Sequence, residues 1–312
     1  MSVSENSSAS PSGDADFIDV ADASSPFPLG RVLAWIIAAI VVVDFIWIIA
    51  HNENFGWPVI GEYLFNPIVL SGLYVSLGLT VVSMVIGVIL GLVLAVMRLS
   101  SDRLTGSIAG LYIWFFRGTP LLVQLIFWYN MSTLFPELSI TIPFGPTLAS
   151  WDTNSVISPL TAAIAGLALN EAAYMAEIIR GGLLSVDKGQ SETAAAFGMK
   201  HGRALWRIII PQAMRSIVPP TGNQLISMIK ATSLVSVIAM ADLLYSVQSI
   251  YNRTFEIVPM LLVAVIWYLF ITSILNVGQG YIERYYSRGD RSRGSRKLTR
   301  PQEEELAEEA SH

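Results

Sequence analysis

The chain has 312 residues, of which 53% are hydrophobic and only 14% are charged, and its mean hydropathy is +0.55. Soluble domains carry about 25% charged residues, so this composition excludes an ordinary soluble domain and predicts a membrane protein. The formal net charge of −5 arises in the N-terminal tail and does not indicate nucleic-acid binding. The absence of cysteine excludes disulfides and thiolate metal sites.

Both ends of the chain are polar. Residues 1–30 contain five acids and no Lys or Arg, where a secretory signal would begin with a short basic region. This composition predicts a disordered acidic cytoplasmic tail. Residues 282–312 contain seven acids and seven bases, which predicts a second, charged cytoplasmic tail.

Five or six segments between the tails reach the roughly 20 apolar residues that a membrane-spanning helix needs. They are about 32–50, 68–97, 111–135, 159–179, 213–240 and 258–281. The fifth is the least regular, because Pro219 and Pro220 interrupt it. The predicted fold class is an all-α polytopic membrane protein with about six transmembrane helices.

Loops rich in Lys and Arg alternate along the chain with loops that have few or none, and loops rich in these bases favour the cytoplasmic side. Loops 51–67 and 136–158 contain none and loop 241–257 contains only Arg253, whereas loop 98–110 with its flank contains three, loop 180–215 contains six and the segment after the last span contains seven. This pattern predicts a multi-pass cell-membrane protein with both termini in the cytoplasm. An alternative span count, shifted by one around 230–257, still leaves loop 180–215 cytoplasmic.

Loop 180–215 carries strong helix signals. Asp187 followed by Gln190 fits an acidic capping box, so the sequence predicts a helix beginning near Lys188. The alanines at 194–196 favour helix, and Gly198 suits the left-handed position that ends one.

A second short helix, over about 203–209, is predicted to follow. Pro211 then fits the first turn of the next helix, where its missing N–H costs little. Two short helices at an angle would lie across the inner mouth of the membrane domain, and a small-residue face beside Glu192 suits docking a partner.

The loop resembles the EAA loop of ABC-importer permeases. The resemblance lies in Glu192-x-Ala194, Gly198 and Ile208-x-Ile210-Pro211, with Thr193 and Ile210 departing conservatively from the usual Ala and Leu. Three further stretches resemble the polar amino acid uptake branch of that family. They are FFRGTPLLVQL (115–125), NEAAYMAEIIRGGLLSVDKGQSE (170–192) and PQAMRSIVPPTGNQLISMIKATSLVSVI (211–238).

The resemblance covers about 68–281 and implies a type I ABC importer transmembrane domain, with an extra N-terminal transmembrane helix at 31–51. It implies that the cytoplasmic coupling loop, 181–211, fits a cleft in a separate ATPase. The residues implied to couple are Glu192, Ala194, Ala195, Gly198, Arg203, Ile208 and Pro211.

The implied partners are a cytoplasmic ABC ATPase that binds ATP and Mg, an extracytoplasmic amino-acid-binding protein, and a second permease copy or a homologue. This chain itself is expected to be no enzyme and to hold no cofactor and no metal. The residues agree, because the three histidines lack a metal-ligand spacing and no phosphate-binding Gly-rich loop is present.

Glu171 is the most informative polar residue of the spans. It lies nine residues before Arg180, about 13 Å along a helix, which places it near the bilayer midplane. A carboxylate there usually faces a bundle interior or a water-filled path. One interpretation is a contact to the ammonium or guanidinium group of a substrate. The other is structural burial against Lys230 or a backbone amide.

Further polar residues are candidates for the same path. Asn223, Ser227 and Lys230 share one helical face, and such a stripe either joins helices or lines a cavity. The complete set of candidate path residues is Glu171, Asn170, Asn223, Gln224, Ser227, Lys230 and Gln124. The series Gly87, Gly91, Ala95 in the second span predicts close helix packing.

Two other functional classes stay open at this point. An ion-coupled secondary amino acid carrier or channel could use Glu171 and Lys230 as a relay, although it would leave the polar loop unexplained. A membrane scaffold would use neither residue. The sequence is compatible with a homodimer and with a heterodimer, and it does not identify which amino acid is transported.

Overall fold

The computed structural model describes residues 29–142 and 146–287. Most of the predicted acidic tail (1–28) and of the charged C-terminal tail (288–312) therefore lies outside the described residues. The chain divides into two units, one ending at Phe55 and one beginning at Gly56.

The first unit contains helix α1, Leu29–His51, followed by a 3₁₀ turn at Glu53–Phe55. The predicted span at 32–50 is confirmed as a helix. Its apolar side chains are exposed along the whole length, with Trp35 at 72% and Val43 at 65%. Such a uniformly apolar surface is typical of a helix in lipid.

Within residues 56–142 and 146–287, the regular elements of the second unit are helices and one two-stranded hairpin. Its helices are α2 (Trp57–Tyr63), α3 (Pro67–Arg98), α4 (Arg103–Gly118), α5 (Leu121–Tyr129), α6 (Met131–Leu134), α7 (Thr153–Val156), α8 (Pro159–Leu184), α9 (Lys188–Ala196), α10 (His201–Ala204), α11 (Ile210–Ala231), α12 (Leu243–Thr254) and α13 (Ile257–Ser287). A π-helical segment, Leu205–Ile209, joins α10 to α11, and a 3₁₀ segment, Thr232–Ile238, follows α11.

In the described part of the chain the spans number up to six, as predicted. Four helices, α1, α3, α8 and α13, are long and apolar enough to cross a membrane. Two bent helix pairs add one span each if each pair is counted as a single crossing.

Helices α3 and α8 form the central packed pair, and the small residues of α3 explain their close approach. A Cβ at Gly87 would lie 2.8 Å from Cγ of Glu171, and one at Gly91 would lie 2.6 Å from Cβ of Met175. The contacts advance by four residues on both helices at once, so the two helices run parallel. The predicted packing role of the Gly87 and Gly91 series is confirmed.

The third span, predicted over 111–135, is a bent pair of helices. Helix α4 already begins at Arg103, within the predicted loop, and meets α5 at an angle of 102°. Asp102 caps α4 by accepting hydrogen bonds from Thr105, and these bonds lower the pKa of Asp102. The break follows from Pro120, which lacks an N–H and holds Thr119 in an extended conformation (φ −114°, ψ 143°).

The fifth span also differs from the prediction. The expected second short helix at 203–209 is the beginning of a continuous helix that runs from α10 through the π-helical segment into α11. Pro219 and Pro220 lie inside α11 without ending it.

The predicted loop 241–257 contains α12, which meets the preceding helix at 47°. Asp242 is the reason that α12 begins there, because its carboxylate accepts hydrogen bonds from the N–H groups of Leu244 and Tyr245.

A two-stranded antiparallel hairpin occupies part of the predicted loop 136–158. Strands β1 (Glu137–Thr141) and β2 (Thr147–Asp152) pair Glu137 with Asp152 and Leu138 with Trp151. The sequence analysis did not predict it, since the strands are short and mostly exposed.

Candidate functional site

Helix α9 is capped at its start by Asp187, whose Oδ1 accepts a hydrogen bond from the N–H of Gly189 at 2.7 Å. The predicted helix start at Lys188 is confirmed. A capping box also predicts that the Gln190 side chain bonds to the N–H of Asp187, and this part of the prediction is wrong. The Gln190 side chain instead accepts a hydrogen bond from Gln212 of α11 at 3.2 Å.

Gly198 ends α9 in the left-handed conformation that was predicted, with φ +72°. The N–H of Met199 donates to the carbonyl of Ala194 at 3.0 Å, and the N–H of Gly198 donates to that of Ala195 at 2.9 Å. These two bonds form a Schellman motif, which reverses the chain sharply after the helix.

The coupling-loop residues divide into an inner and an outer set. Ala194 and Ala204 are buried, at 2% and 4% exposure, on the helices that flank the turn. Ala194 therefore supports the hairpin of helices from within and is not part of its open face. The exposed members of the predicted set are Glu192, Ala195, Gly198, Arg203 and Pro211, while Ile208 is half-buried.

Two aromatic residues complete this surface, and the sequence analysis missed both. Phe197, the residue before Gly198, is 82% exposed, and Trp206 in the π-helical segment is 73% exposed. The sequence signal that could have identified them is the presence of two large aromatic residues within an otherwise polar loop. Interfaces are enriched in such residues at their centres.

The loop is joined to the spans by side-chain hydrogen bonds. Ser185, at the end of α8, donates to Ser216 of α11 at 3.0 Å, and Gln212 donates to Gln190. A polar cleft of about 420 Å³ lies between these elements, with Arg215 and Glu283 among its lining residues. The Gln212–Gln190 bond therefore joins α9 to α11, and the Ser185–Ser216 bond joins the end of α8 to α11.

Glu171 lies in the middle of α8 and is buried, with 6% exposure. Its Oε1 has no hydrogen-bond partner among the described residues. Among the described residues, Oε1 of Glu171 contacts neither Lys230, which is exposed, nor a backbone amide, the two partners that the structural interpretation named. Gly87 leaves the room that the Glu171 side chain occupies. A buried carboxylate oxygen without a donor is costly, so it suits a group that receives its partner from outside the chain.

Asn170 and Gln124 hold the break between α4 and α5. The amide of Gln124 donates to the carbonyls of Phe116 and Thr119 at 3.0 and 3.1 Å. Asn170 donates to the same Phe116 carbonyl at 2.9 Å and to Oε1 of Gln124 at 3.3 Å. The structure thus brings these two predicted path residues together, with their amides engaged by the backbone.

The stripe of α11 is an open polar face. Asn223, Ser227 and Lys230 are all exposed, and Ser227 donates to the Asn223 carbonyl at 3.0 Å, while Gln224 is half-buried. Leu225 packs in the same cluster as Met175 of α8, one turn from Glu171. The stripe and Glu171 therefore lie at similar depths along the bundle.

A buried polar junction around Asp242 was also missed. Asp242 has no exposed surface and accepts a hydrogen bond from the Tyr268 hydroxyl at 3.5 Å, while Ser76 accepts one from the N–H of Leu243 at 3.0 Å. An acidic residue directly before an apolar run is the usual helix-start signal. The junction joins α3, α12 and α13.

Known proteins that are similar to this chain are transport system permease proteins. The chain is 45% identical over 267 residues to the arginine transport system permease protein ArgU of Corynebacterium glutamicum, covering 84% of this chain and 83% of that protein. It is 37% identical over 233 residues to the L-cystine transport system permease protein TcyB of Bacillus subtilis, covering 74% of this chain and 92% of that protein.

Among solved structures, the chain is similar to the crystal structure of an amino acid ABC transporter with histidines. The match has a TM-score of 0.62 and 36% identity, and it covers 72% of this chain and 97% of that one. This likeness confirms the predicted fold class, a type I importer transmembrane domain. Residues 87–288 match the family model described as binding-protein-dependent transport system inner membrane component. The chain belongs to that family of ABC transporter permeases, as its resemblance predicted.

Proposed function

We propose that this chain is the permease subunit of an ATP-driven amino acid importer and that residues 188–211 couple it to a separate ATPase, which binds ATP and Mg. The other proposed partners are an extracytoplasmic amino-acid-binding protein and a second permease copy or homologue. The observation that carries the coupling role is the hairpin of helices around Gly198, which exposes Glu192, Phe197 and Trp206 and is hydrogen-bonded to α8 and α11.

The mechanism requires a bundle with two states that the ATPase can bias. Closure of two ATPase subunits would displace α9. The Gln212–Gln190 contact would pass this displacement to α11, and the Ser185–Ser216 contact would pass it from α11 to the end of α8. The path would then open alternately to each side of the membrane. The ion-coupled carrier predicted as an alternative gains no support from the family, whose members work with binding proteins.

For the substrate, we propose an amino acid with a cationic side chain. Glu171 offers a buried carboxylate without a partner in the described chain, and the stripe from Asn223 to Lys230 offers polar groups at a similar depth. Two relatives, 45% and 34% identical, are named for arginine transport. Lys230 would meet the α-carboxylate.

We also propose the domain limits and topology. The transporting domain is 68–281, the helix at 31–51 is an addition to it, and both tails are cytoplasmic. The proposal rests on the alternation of basic and base-free loops.

The docking proposal is tested by the affinity of the partner ATPase for the purified permease. We expect Trp206→Ser to weaken binding about tenfold or more, since truncation of interface aromatics costs roughly 2 kcal/mol. Glu192→Lys should also weaken binding, because it reverses a charge on the docking surface. Glu256→Lys, an exposed charge reversal in the loop before α13, is the matched control and leaves the affinity unchanged. Equal affinities for all four proteins would overturn the docking surface.

A further inference from the structure

Two consecutive prolines leave a weak point in the middle of α11. Pro219 and Pro220 lie inside the helix and have no N–H. The carbonyls four residues earlier, those of Arg215 and Ser216, therefore lose their donors within the helix. Helices bend where such bonds are missing. The backbone of α11 alone therefore does not fix the angle between its two halves.

This weak point separates two parts of α11 that have different proposed roles. Before it, Gln212 and Ser216 are hydrogen-bonded to the coupling loop. After it, the polar stripe extends from Asn223 to Lys230. A movement that begins at the coupling loop must cross the proline pair to reach the stripe.

Gln279 of α13 bonds to α11 at the proline pair. Its side chain is buried, with 6% exposure, and its Nε2 donates to the Pro219 carbonyl at 2.8 Å. The same nitrogen donates to Oε1 of Glu283, one turn further along α13, at 2.9 Å. A carbonyl and a carboxylate only accept hydrogen bonds, so the amide must present its NH₂ group to them. The two acceptors thus fix the orientation of the Gln279 side chain.

Gly222 allows Gln279 to come this close to α11. A Cβ at Gly222 would overlap the Gln279 amide, at 2.7 Å from its Cδ. Oε1 of Gln279 lies against this glycine and has no hydrogen-bond partner among the described residues. A buried acceptor without a donor is costly. The two bonds made by Nε2 offset this cost and hold the side chain at the proline pair.

We propose that the proline pair is a hinge in α11 and that Gln279 is a positioning residue, whose bond to Pro219 latches the hinge to α13. With the latch closed, both halves of α11 move as one body when the coupling loop moves. With the latch open, the coupling half bends without turning the stripe, and ATP is hydrolysed without transport. This consequence for transport rests on the proposed importer function, whereas the hinge and its latch do not.

The latch is tested by hydrogen exchange in the purified full chain in lipid nanodiscs, without any partner protein. A polar cleft of about 420 Å³ borders Pro219 and Glu283, so water reaches the hinge. Gln279→Met keeps the length of the side chain but removes both Nε2 bonds. We expect the amides of residues 221–223 to exchange about two- to tenfold faster, the factor that one hydrogen bond contributes.

Two further single variants accompany this measurement. Gly222→Ala displaces the Gln279 amide from α11 and should speed the same amides, which keeps the test decisive if Gln279→Met does not fold. Asn276→Met is the matched control, because Asn276 is an exposed amide one turn before Gln279 on the same helix. It should leave the exchange unchanged. Wild-type exchange rates in both Gln279→Met and Gly222→Ala would overturn the latch.

A double-variant cycle separates a latch from ordinary packing. Replacing both Pro219 and Pro220 by alanine restores the two missing N–H groups, so that α11 no longer depends on Gln279. In that background, Gln279→Met should change the exchange of residues 221–223 by less than about twofold, since the two effects are coupled. An equal acceleration with and without the prolines would assign Gln279 to packing alone and overturn the proposal.

The consequence for transport is measured in proteoliposomes that also contain the ATPase and the binding protein. Gln279→Met should keep the ATPase bound and active, while uptake per ATP hydrolysed falls at least about twofold, the lower end for mutations that alter coupling. An unchanged ratio despite faster exchange would overturn the role of the latch in coupling. Uptake that needs no ATP in the wild type would instead contradict the proposed importer, and the exchange rates would still decide the latch.

Discussion

Gly91 of α3 lies directly against Met175 of α8, so that a Cβ added at Gly91 would be 2.6 Å from the Met175 Cβ and 3.0 Å from the Ala172 carbonyl oxygen. No rotamer of Met175 relieves a contact with its own Cβ or with the backbone. The two helices must therefore keep a glycine here for as long as they stay packed.

Gly91→Leu should consequently destabilise the membrane domain by about 1–3 kcal/mol or more, as overpacking of a close helix contact does. The measurement is thermal unfolding of the purified protein in detergent, followed by tryptophan fluorescence. Gly78→Leu on the same helix is the control, because a Cβ at Gly78 meets no atom within 4 Å. Similar melting temperatures for the two variants would show that the α3–α8 contact is looser than described.

Gly198→Ala tests the turn after α9. Because φ at Gly198 is +72°, alanine would be held in the left-handed region at a cost of about 1–2 kcal/mol. We expect a local loosening of the loop, seen as faster hydrogen exchange of the Gly198 and Met199 amides, together with weaker ATPase binding. Gly202→Ala, within α10, should preserve both properties, since helix favours alanine. Slow exchange in Gly198→Ala would contradict the assigned strain.

The local signals of the sequence were reliable where one turn of chain decides the structure. Asp187 and Gly198 mark the two ends of α9, because capping and left-handed termination depend only on neighbouring residues. The close packing at Gly91 could be predicted for a similar reason, because a series of small residues in a membrane helix usually indicates a close helix–helix contact.

The failures occurred where distant contacts decide. Pro120 marks the break between α4 and α5 locally, but the angle of 102° is held by hydrogen bonds from Gln124 and from Asn170 of α8, which no local pattern predicts. The buried position of Ala194 depends likewise on the return of the chain through α10.

Gln124→Leu tests the network at this break. The substitution removes the side-chain amide that donates hydrogen bonds to the carbonyls of Phe116 and Thr119. Because these carbonyls lose that donor, the free energy of unfolding should fall by about 1–3 kcal/mol. Asn130→Leu is the control, because Asn130 is exposed and its side chain donates, among the described residues, to the carbonyl of Ile126 one turn away. The loss in this variant should stay within about 0.5 kcal/mol. Thermal unfolding compares the two, and equal losses would remove Gln124 from its role at the break.

The proposed orientation can be tested by cysteine labelling, because the chain contains no cysteine of its own. We expect Glu256→Cys to react with a membrane-impermeant maleimide on intact cells, since loop 241–257 is proposed to be extracytoplasmic. Glu192→Cys should react only after the cells are opened. Reaction of both variants on intact cells, or the reverse order, would contradict the assignment that the basic loops make.

The most direct measurement is uptake of radiolabelled arginine into proteoliposomes that contain this chain, its ATPase and its binding protein, with and without internal ATP. Wild type is compared with Glu192→Lys and with Glu171→Gln, and each variant is first checked for its melting temperature. The account predicts uptake that requires ATP, is lost in Glu192→Lys together with ATPase association, and is reduced in Glu171→Gln with the ATPase still bound. Uptake that proceeds without ATP and is unchanged in Glu192→Lys would contradict the coupling role of residues 188–211.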